Sequence, residues 1–108
     1  MTRGAVVVVA ARGAYTGKPR PAVVVQADLF TPTHDSITIC LITSDCVDAP
    51  MFRVSLPPGE RTGLTSASQV MVDKLVTIPR TAVVRQIGVC DPACSDAIDD
   101  ALRLWLTL

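Results

Sequence analysis

The sequence has little of several features that mark common functional classes. It has one histidine, His34, and a net charge of zero, with ten Lys and Arg balanced by ten Asp and Glu. Domains that hold nucleic acid by bulk electrostatics are usually strongly basic, so this balance argues against that mode of binding. The longest apolar run, residues 5–11, is far shorter than the roughly 18 to 20 residues that span a bilayer. No signal-type segment opens the chain, and we expect a cytoplasmic protein without a membrane span.

Motifs for metals, nucleotides and covalent catalysis are also missing. The cysteines Cys40 and Cys46 have five residues between them, and Cys90 and Cys94 have three, unlike the two-residue spacing of zinc knuckles. No Gly-rich phosphate loop, His-Glu zinc helix or nucleophile elbow occurs. We therefore expect no metal and no cofactor. Cys40 lies in an apolar run and is expected to be buried, whereas the redox state of Cys90 and Cys94 stays open.

The residues that are present predict one domain, residues 1–108, that is mainly β with a C-terminal helix. Short β-branched runs alternate with Pro, Gly and Asp, which predicts a small SH3-like curved sheet or barrel. Several runs are apolar at consecutive positions, as expected for strands covered on both faces. We predict seven strands, at residues 6–9, 22–25, 37–42, 52–56, 70–72, 74–78 and 82–89.

A helix closes the chain, because Asp91 followed by Pro92 is an N-cap and first-turn signal. Its apolar face has helical spacing, and two further leucines widen the face beyond one core contact. Two interpretations of this wide apolar face are open: it packs against the core of the domain, or part of it contacts a partner. A chain of 108 residues buries only about two thirds of its surface, which favours an oligomer. The face comprises Ile98, Ala101, Leu102, Trp105 and Leu108, and Leu104 and Leu106 widen it.

The first candidate for chemistry is the loop at residues 13–21, which carries two glycines, two cations and two prolines. Pro19 and Pro21 restrict the backbone around Arg20. A guanidinium held in this way offers a planar fork that fits two phosphate oxygens and stabilises charge that develops on a phosphorane. The alternative is an ordinary solvated loop.

Three further polar groups stand at strand ends or inside a strand. Thr43 and Ser44 end the third predicted strand, where a hydroxyl donates to a phosphate or caps the turn. Ser68 precedes the strand pair at residues 70–78, and Asp73 interrupts its apolar run. A buried carboxylate there needs a cation or a backbone donor, or it performs acid–base work.

Taken in order, these segments resemble the MazF/PemK/Kid family of toxins from bacterial type II toxin–antitoxin systems. The chain opens with RGAVVVV at residues 3–9, and GAYTGKPRPAVVVQAD at residues 13–28 brings Arg-Pro before an apolar strand. CLITSD at residues 40–45 matches a strand that ends in Ile-Thr. The block GLTSASQVMVDKLVTI at residues 63–78 is the most specific match.

The resemblance implies a homodimeric toxin that cuts single-stranded RNA at selected sequences without a metal. The ribose 2′-oxygen would attack the adjacent phosphate and leave a 2′,3′-cyclic phosphate and a 5′-hydroxyl. By this resemblance Arg20 and Thr43 contact the scissile phosphate, and Asp73 is a candidate base. The remaining positions expected to contact RNA are Lys18, Tyr15, Ser44 and Ser68. The implied protein partner is an antitoxin whose disordered, acidic and apolar tail blocks the RNA site.

Two departures from the family pattern leave the proton donor unassigned. Ala14, Tyr15 and Thr16 stand where many members have Glu or His, and Met71 replaces an Arg that precedes the acid in the Kid branch. Lys18 and Tyr15 are possible substitutes. Two alternatives share the fold: a CcdB-like poison of DNA gyrase, favoured only by Trp105 near the carboxyl end, and an inactive accessory dimer.

Overall fold

In the computed structural model, which describes residues 1–10 and 18–108, the apolar runs form one antiparallel sheet with the strand order β4-β5-β3-β2-β1-β6. Its strands are β1 (Ala5–Val9), β2 (Arg20–Val24), β3 (Ser36–Thr43), β4 (Arg53–Leu56), β5 (Ser68–Pro79) and β6 (Val83–Val89). Short 3-10 turns cover Thr31–Thr33 and Arg80–Ala82, and helix α1 covers Pro92–Leu106. The sheet is open, with β4 and β6 at its edges, and the prediction of a mainly β fold with a C-terminal helix is confirmed.

The prediction of separate strands at residues 70–72 and 74–78 was wrong, because Asp73 lies inside the continuous strand β5. A bulge accommodates the polar residue. Between Cys40 and Ile42 strand β3 advances two residues, while the paired positions on β5 move five, from Leu75 to Val70. The extra residues leave the ladder with β3, and such a bulge bends a strand and redirects its side chains.

The sheet is buried on both faces, which explains the consecutive apolar residues of its strands. One face carries a cluster that includes Val7, Ala22 and Leu41, and it contains no residue of α1. The opposite face carries Val6, Cys40 and other strand residues that pack against α1. Cys40 is fully buried, as predicted.

Helix α1 begins as predicted, since the Asp91 carboxylate accepts a hydrogen bond of 2.8 Å from the backbone N–H of Cys94. Its main contacts are with β4 and β5, where Ile98 and Ala101 are buried. The predicted apolar face is therefore covered only in its first part. Trp105 is 50% exposed, and Leu104, Leu106 and Leu108 are exposed as well. In the described residues no helix is long and apolar enough to cross a membrane.

Arg3 has a structural role that fixes the start of the chain. Its Nη1 lies 2.7 Å from the Asp99 carboxylate on α1, and its Nε donates to the Val25 carbonyl at the end of β2. The arginine of the opening Arg-Gly pair thus joins the helix to the sheet. It stands apart from the polar side chains described below.

Candidate active site

The register between β2 and β3 determines where the two main candidate residues meet. Ala22 pairs with Leu41, Val23 with Cys40 and Val24 with Ile39. Continued by two residues, this register sets Arg20 opposite Thr43, and both positions alternate onto the face that carries Ala22 and Leu41. Directly opposite residues on one face are close enough for their side chains to interact. The structure therefore brings these two predicted residues together.

Arg20 stands at the beginning of β2, where the sheet is incomplete. It pairs with Val9 of β1, but the ladder to β3 begins only at Ala22. Pro21 has no N–H to contribute to a ladder, which explains this gap. Within the described part of the chain, the buried Nε of Arg20 has no hydrogen-bond partner. An unsatisfied buried donor costs about 1–3 kcal/mol, so an acceptor at this position would stabilise the site.

Thr43 ends β3 and uses its hydroxyl in the following turn. Its Oγ1 accepts a hydrogen bond of 3.0 Å from the backbone N–H of Asp45. That bond occupies a lone pair of the oxygen and leaves the hydroxyl proton available for a second partner. The turn thus orients the group as a donor, so the two roles predicted for Thr43 are compatible.

A cavity of about 320 Å³ lies on one side of this residue pair. Arg20 and Lys18 contribute its cations, and among the described residues that line it there is no carboxylate. Its hydroxyl groups come from Thr43, Ser44, Thr65, Ser66 and Ser68. Ser68 is 5% exposed, and its Oγ donates to the Ser66 carbonyl at 2.9 Å. The cavity unites cations with hydroxyl donors, which suits an anionic and polar ligand.

Hydrogen bonds fix the segment that precedes Thr65 and Ser66, two residues that line this cavity. The backbone N–H of Gly63 donates to the Gly59 carbonyl at 2.9 Å, and the Thr62 hydroxyl donates to the Pro57 carbonyl at 2.8 Å. Gly63 has a φ of +72°, and a side chain there would collide with the Ile87 backbone. These bonds fix the segment that leads into Thr65 and Ser66.

A second cavity, of about 220 Å³, lies on the other side of the same pair. Arg20 and Thr43 line both cavities, and we call this shared pair the ridge. Arg53 of β4 and Lys74 of β5 line the second one and add two cations, and Asp45 is the one carboxylate among the described residues of its wall. Neither Arg53 nor Lys74 was predicted from the sequence. The only local signal was the alternation of polar Arg53 with apolar Val54, which predicts a face but no neighbour.

Asp73 lies beside this second cavity without lining it. Its Oδ1 is 3.9 Å from Nε of Arg53, and the two side chains are 19% and 14% exposed. Neither of these two atoms has a hydrogen-bond partner within residues 1–10 and 18–108. Of the alternatives left open for the acid, a partner cation is present, and it is Arg53 on the neighbouring strand. Tyr15 lies outside the described residues.

Cys40, Cys90 and Cys94 line neither cavity. Burial raises the pKa of the Cys40 thiol to about 12. Cys90 and Cys94 share a side-chain hydrogen bond, which raises the pKa of Cys90 and lowers the pKa of Cys94. In the described ranges no group of three or more His, Cys, Asp or Glu side chains could hold a metal ion.

The fold is that of small bacterial toxins of known structure. It superimposes on the toxin MazF-mt6 of Mycobacterium tuberculosis with a TM-score of 0.79 and 24% identity, covering 94% of this chain and 97% of that one. An endoribonuclease in complex with its cognate antitoxin from a mycobacterial species gives a TM-score of 0.82 and 21% identity, over 100% and 96% of the two chains. MazF of Deinococcus radiodurans gives a TM-score of 0.82 and 20% identity, covering 100% of this chain and 97% of that one. These likenesses define the structural class of the chain, which has the fold of these proteins.

The sequence comparison narrows the class to one family. A family model described as PemK-like, MazF-like toxin of type II toxin–antitoxin system matches residues 2–106. The chain belongs to this family. A protein of Mycolicibacterium smegmatis named probable endoribonuclease MazF is 43% identical over 106 residues, covering 98% of this chain and 96% of that protein. These matches do not favour the gyrase-poison alternative.

Proposed function

We propose that the protein is the toxin of a type II toxin–antitoxin pair and acts as an endoribonuclease on single-stranded RNA. It cuts at selected sequences without a metal and leaves a 2′,3′-cyclic phosphate and a 5′-hydroxyl. The observation that carries the proposal is the ridge of Arg20 and Thr43 between two cationic cavities. Family membership and the relative named probable endoribonuclease support it.

The ridge suits the charge that this reaction creates. Attack by the 2′-oxygen turns a singly charged phosphodiester into a phosphorane with additional negative charge. The Arg20 guanidinium offers two parallel N–H donors to phosphate oxygens, and the Thr43 hydroxyl offers a third donor from the adjacent strand. Both stand on strands of one sheet, which holds the donors in place before the substrate arrives.

The other predicted residues are assigned around this centre. Lys18, Ser44 and Ser68 line the first cavity and are proposed to contact the RNA there. Proteins recognise unpaired bases by hydrogen bonds to the polar edges of the bases, and hydroxyl groups form such bonds. Asp73 is proposed as the proton acceptor for the 2′-hydroxyl, and its partner Arg53 forms part of the second cavity wall.

The proposed assembly is a cytoplasmic homodimer that a cognate antitoxin inhibits through a disordered, acidic and apolar tail. The cations of the two cavities fit acidic side chains of such a tail as well as phosphates. Exposed apolar residues give an area for contacts with a second copy or with the tail. They include Leu29 and Phe30, and Leu104, Trp105, Leu106 and Leu108 at the end of the chain.

The test is cleavage of a mixed-sequence single-stranded RNA by the purified protein in EDTA. We expect discrete fragments, and mass spectrometry should identify 2′,3′-cyclic phosphate ends on the upstream fragments. A DNA strand of the same sequence lacks the attacking 2′-oxygen and should stay intact. Products that end in a 3′-hydroxyl, or cutting that stops in EDTA, would contradict the proposed mechanism.

A further inference from the structure

The two cavities on either side of the ridge constrain the path of an RNA strand. A phosphodiester bound between Arg20 and Thr43 has a nucleotide on each side, and each neighbouring nucleotide carries a further phosphate. Both cavities include Arg20; the first adds Lys18 and several hydroxyl groups, whereas the second adds the Arg53 guanidinium and the Lys74 ammonium group. Because the planar fork of a guanidinium fits two phosphate oxygens, the second cavity is the better site for a flanking phosphate.

Two side chains of β5 hold Arg53 in place. Gln69 Oε1 accepts a hydrogen bond of 3.3 Å from Nη1 of Arg53, and the Asp73 carboxylate lies 3.9 Å from Nε. Gln69 is itself fixed, because its Nε2 donates to the Val47 carbonyl at 2.8 Å and its Oε1 accepts from the Val47 N–H. The guanidinium is thus oriented from two sides before any ligand binds.

The same arrangement leaves part of the guanidinium without a partner. Among the described residues, the buried Nε of Arg53 makes no hydrogen bond, as is also true of Nε of Arg20. The cavity that both line has three cations and one carboxylate among the described residues of its wall, and the Asp73 carboxylate lies beside it, 3.9 Å from Nε of Arg53. The unsatisfied Nε of Arg20 and the remaining excess of positive charge both favour an anion with several acceptor oxygens.

Strand pairing gives Arg53 a second significance. Arg53 lies directly opposite Met71 in the β4–β5 ladder. Met71 stands two residues before Asp73 on β5, so the acid has no cation at that position of its own strand. Arg53 brings a guanidinium to Asp73 from the neighbouring strand. The pair is formed across the sheet, and the bulge of β5 turns Asp73 toward it.

We propose that Arg53 is a substrate-binding residue that holds the phosphodiester next to the scissile one, in the cavity beside Arg20, with Gln69 and Asp73 as its positioning residues. This inference rests on the proposed ribonuclease function. A contact to a flanking phosphate is present before and during the reaction, so its loss should act mainly on KM.

The experiment replaces single phosphates of an RNA oligonucleotide by neutral methylphosphonates. In the wild-type protein, neutralising one linkage next to the cut should lower kcat/KM about tenfold to a hundredfold. R53Q should show at least as large a loss on the all-phosphate RNA, because Asp73 also loses its partner, and it should be insensitive to that methylphosphonate. R53K keeps the charge and should keep part of the sensitivity.

Comparing two substrates on one preparation makes the result independent of how much of a variant folds. R85Q is the matched control, because Arg85 is an exposed cation of β6 at the opposite sheet edge. It should keep both the wild-type KM and the sensitivity. If wild-type protein cuts in an Arg20-dependent way but tolerates neutral linkages on both sides, the Arg53 proposal alone is overturned. Full sensitivity of R53Q to the methylphosphonate would also overturn the Arg53 proposal. Absence of any cutting by the wild-type protein would overturn both the Arg53 proposal and the proposed ribonuclease function.

Discussion

Replacing Arg20 tests whether its positive charge stabilises the phosphorane. The relevant quantity is the interaction between the guanidinium and the additional negative charge of the phosphorane. Two unit charges about 4 Å apart interact by about 4 kcal/mol at an effective dielectric constant of about 20. Arg20 is half-buried, so part of this is screened by water. A loss of about 3 kcal/mol is expected, which corresponds to a roughly 10² to 10³-fold slower cleavage.

The pair R20Q and R20K separates charge from shape. R20Q removes the charge and should show the full loss in the rate constant of cleavage under single-turnover conditions. R20K keeps a cation but loses the planar fork, so we expect an intermediate rate. A labelled RNA with one cut site, in EDTA, gives both rates on the same substrate.

Stability provides the decisive control for Arg20. Its buried Nε has no hydrogen-bond partner among the described residues, so R20Q removes an unsatisfied donor. We expect the variant to melt at the wild-type temperature or above it, while its activity falls. Cleavage within threefold of the wild type would refute the assignment. A loss of activity that only parallels a fall in melting temperature would refute it equally, because Arg20 would then be structural.

Three further changes test other parts of the structure. T43V removes the hydroxyl donor and should lower kcat/KM by about 10 to 100-fold. T43S keeps the hydroxyl and should retain most activity. Equal activity of T43V and the wild type would contradict the role of Thr43. D91A should lower the free energy of unfolding by about 1 kcal/mol in chemical denaturation, and D91N should lose less because it still caps the helix, so equal losses would contradict the cap. At neutral pH iodoacetamide should alkylate Cys94 before Cys90 and Cys40, because a lowered pKa leaves more thiolate at that pH; peptide mapping that finds Cys40 labelled first would contradict this order.

Local signals in the sequence were sufficient for most of the elements. The apolar runs identified the strands because both faces of the sheet are covered, and Asp91 with Pro92 marked the first turn of the helix. The division of β5 at Asp73 failed for a physical reason. A polar residue interrupts an apolar pattern, but a bulge lets the strand continue and keeps the carboxylate beside a cation.

The site was less accessible to sequence reasoning because it depends on strand pairing. Arg20 and Thr43 were predicted one by one from loop composition and family resemblance; the β2–β3 register, continued beyond Ala22 and Leu41, brings them together, and both line the same two cavities. Arg53 had no comparable signal. Its importance follows from the β4–β5 ladder, which sets it opposite Met71 and next to Asp73. Such proximity arises between residues distant in sequence and has no local signature.

The most direct test of the central claim is a crystal structure of the protein with an RNA oligonucleotide that carries a 2′-deoxy sugar at the cut site. Without the attacking oxygen the strand stays intact and its phosphates can be located. We predict one phosphate within hydrogen-bond distance of both the Arg20 guanidinium and the Thr43 hydroxyl. An RNA bound on another surface, with no phosphate at these two side chains, would contradict the account.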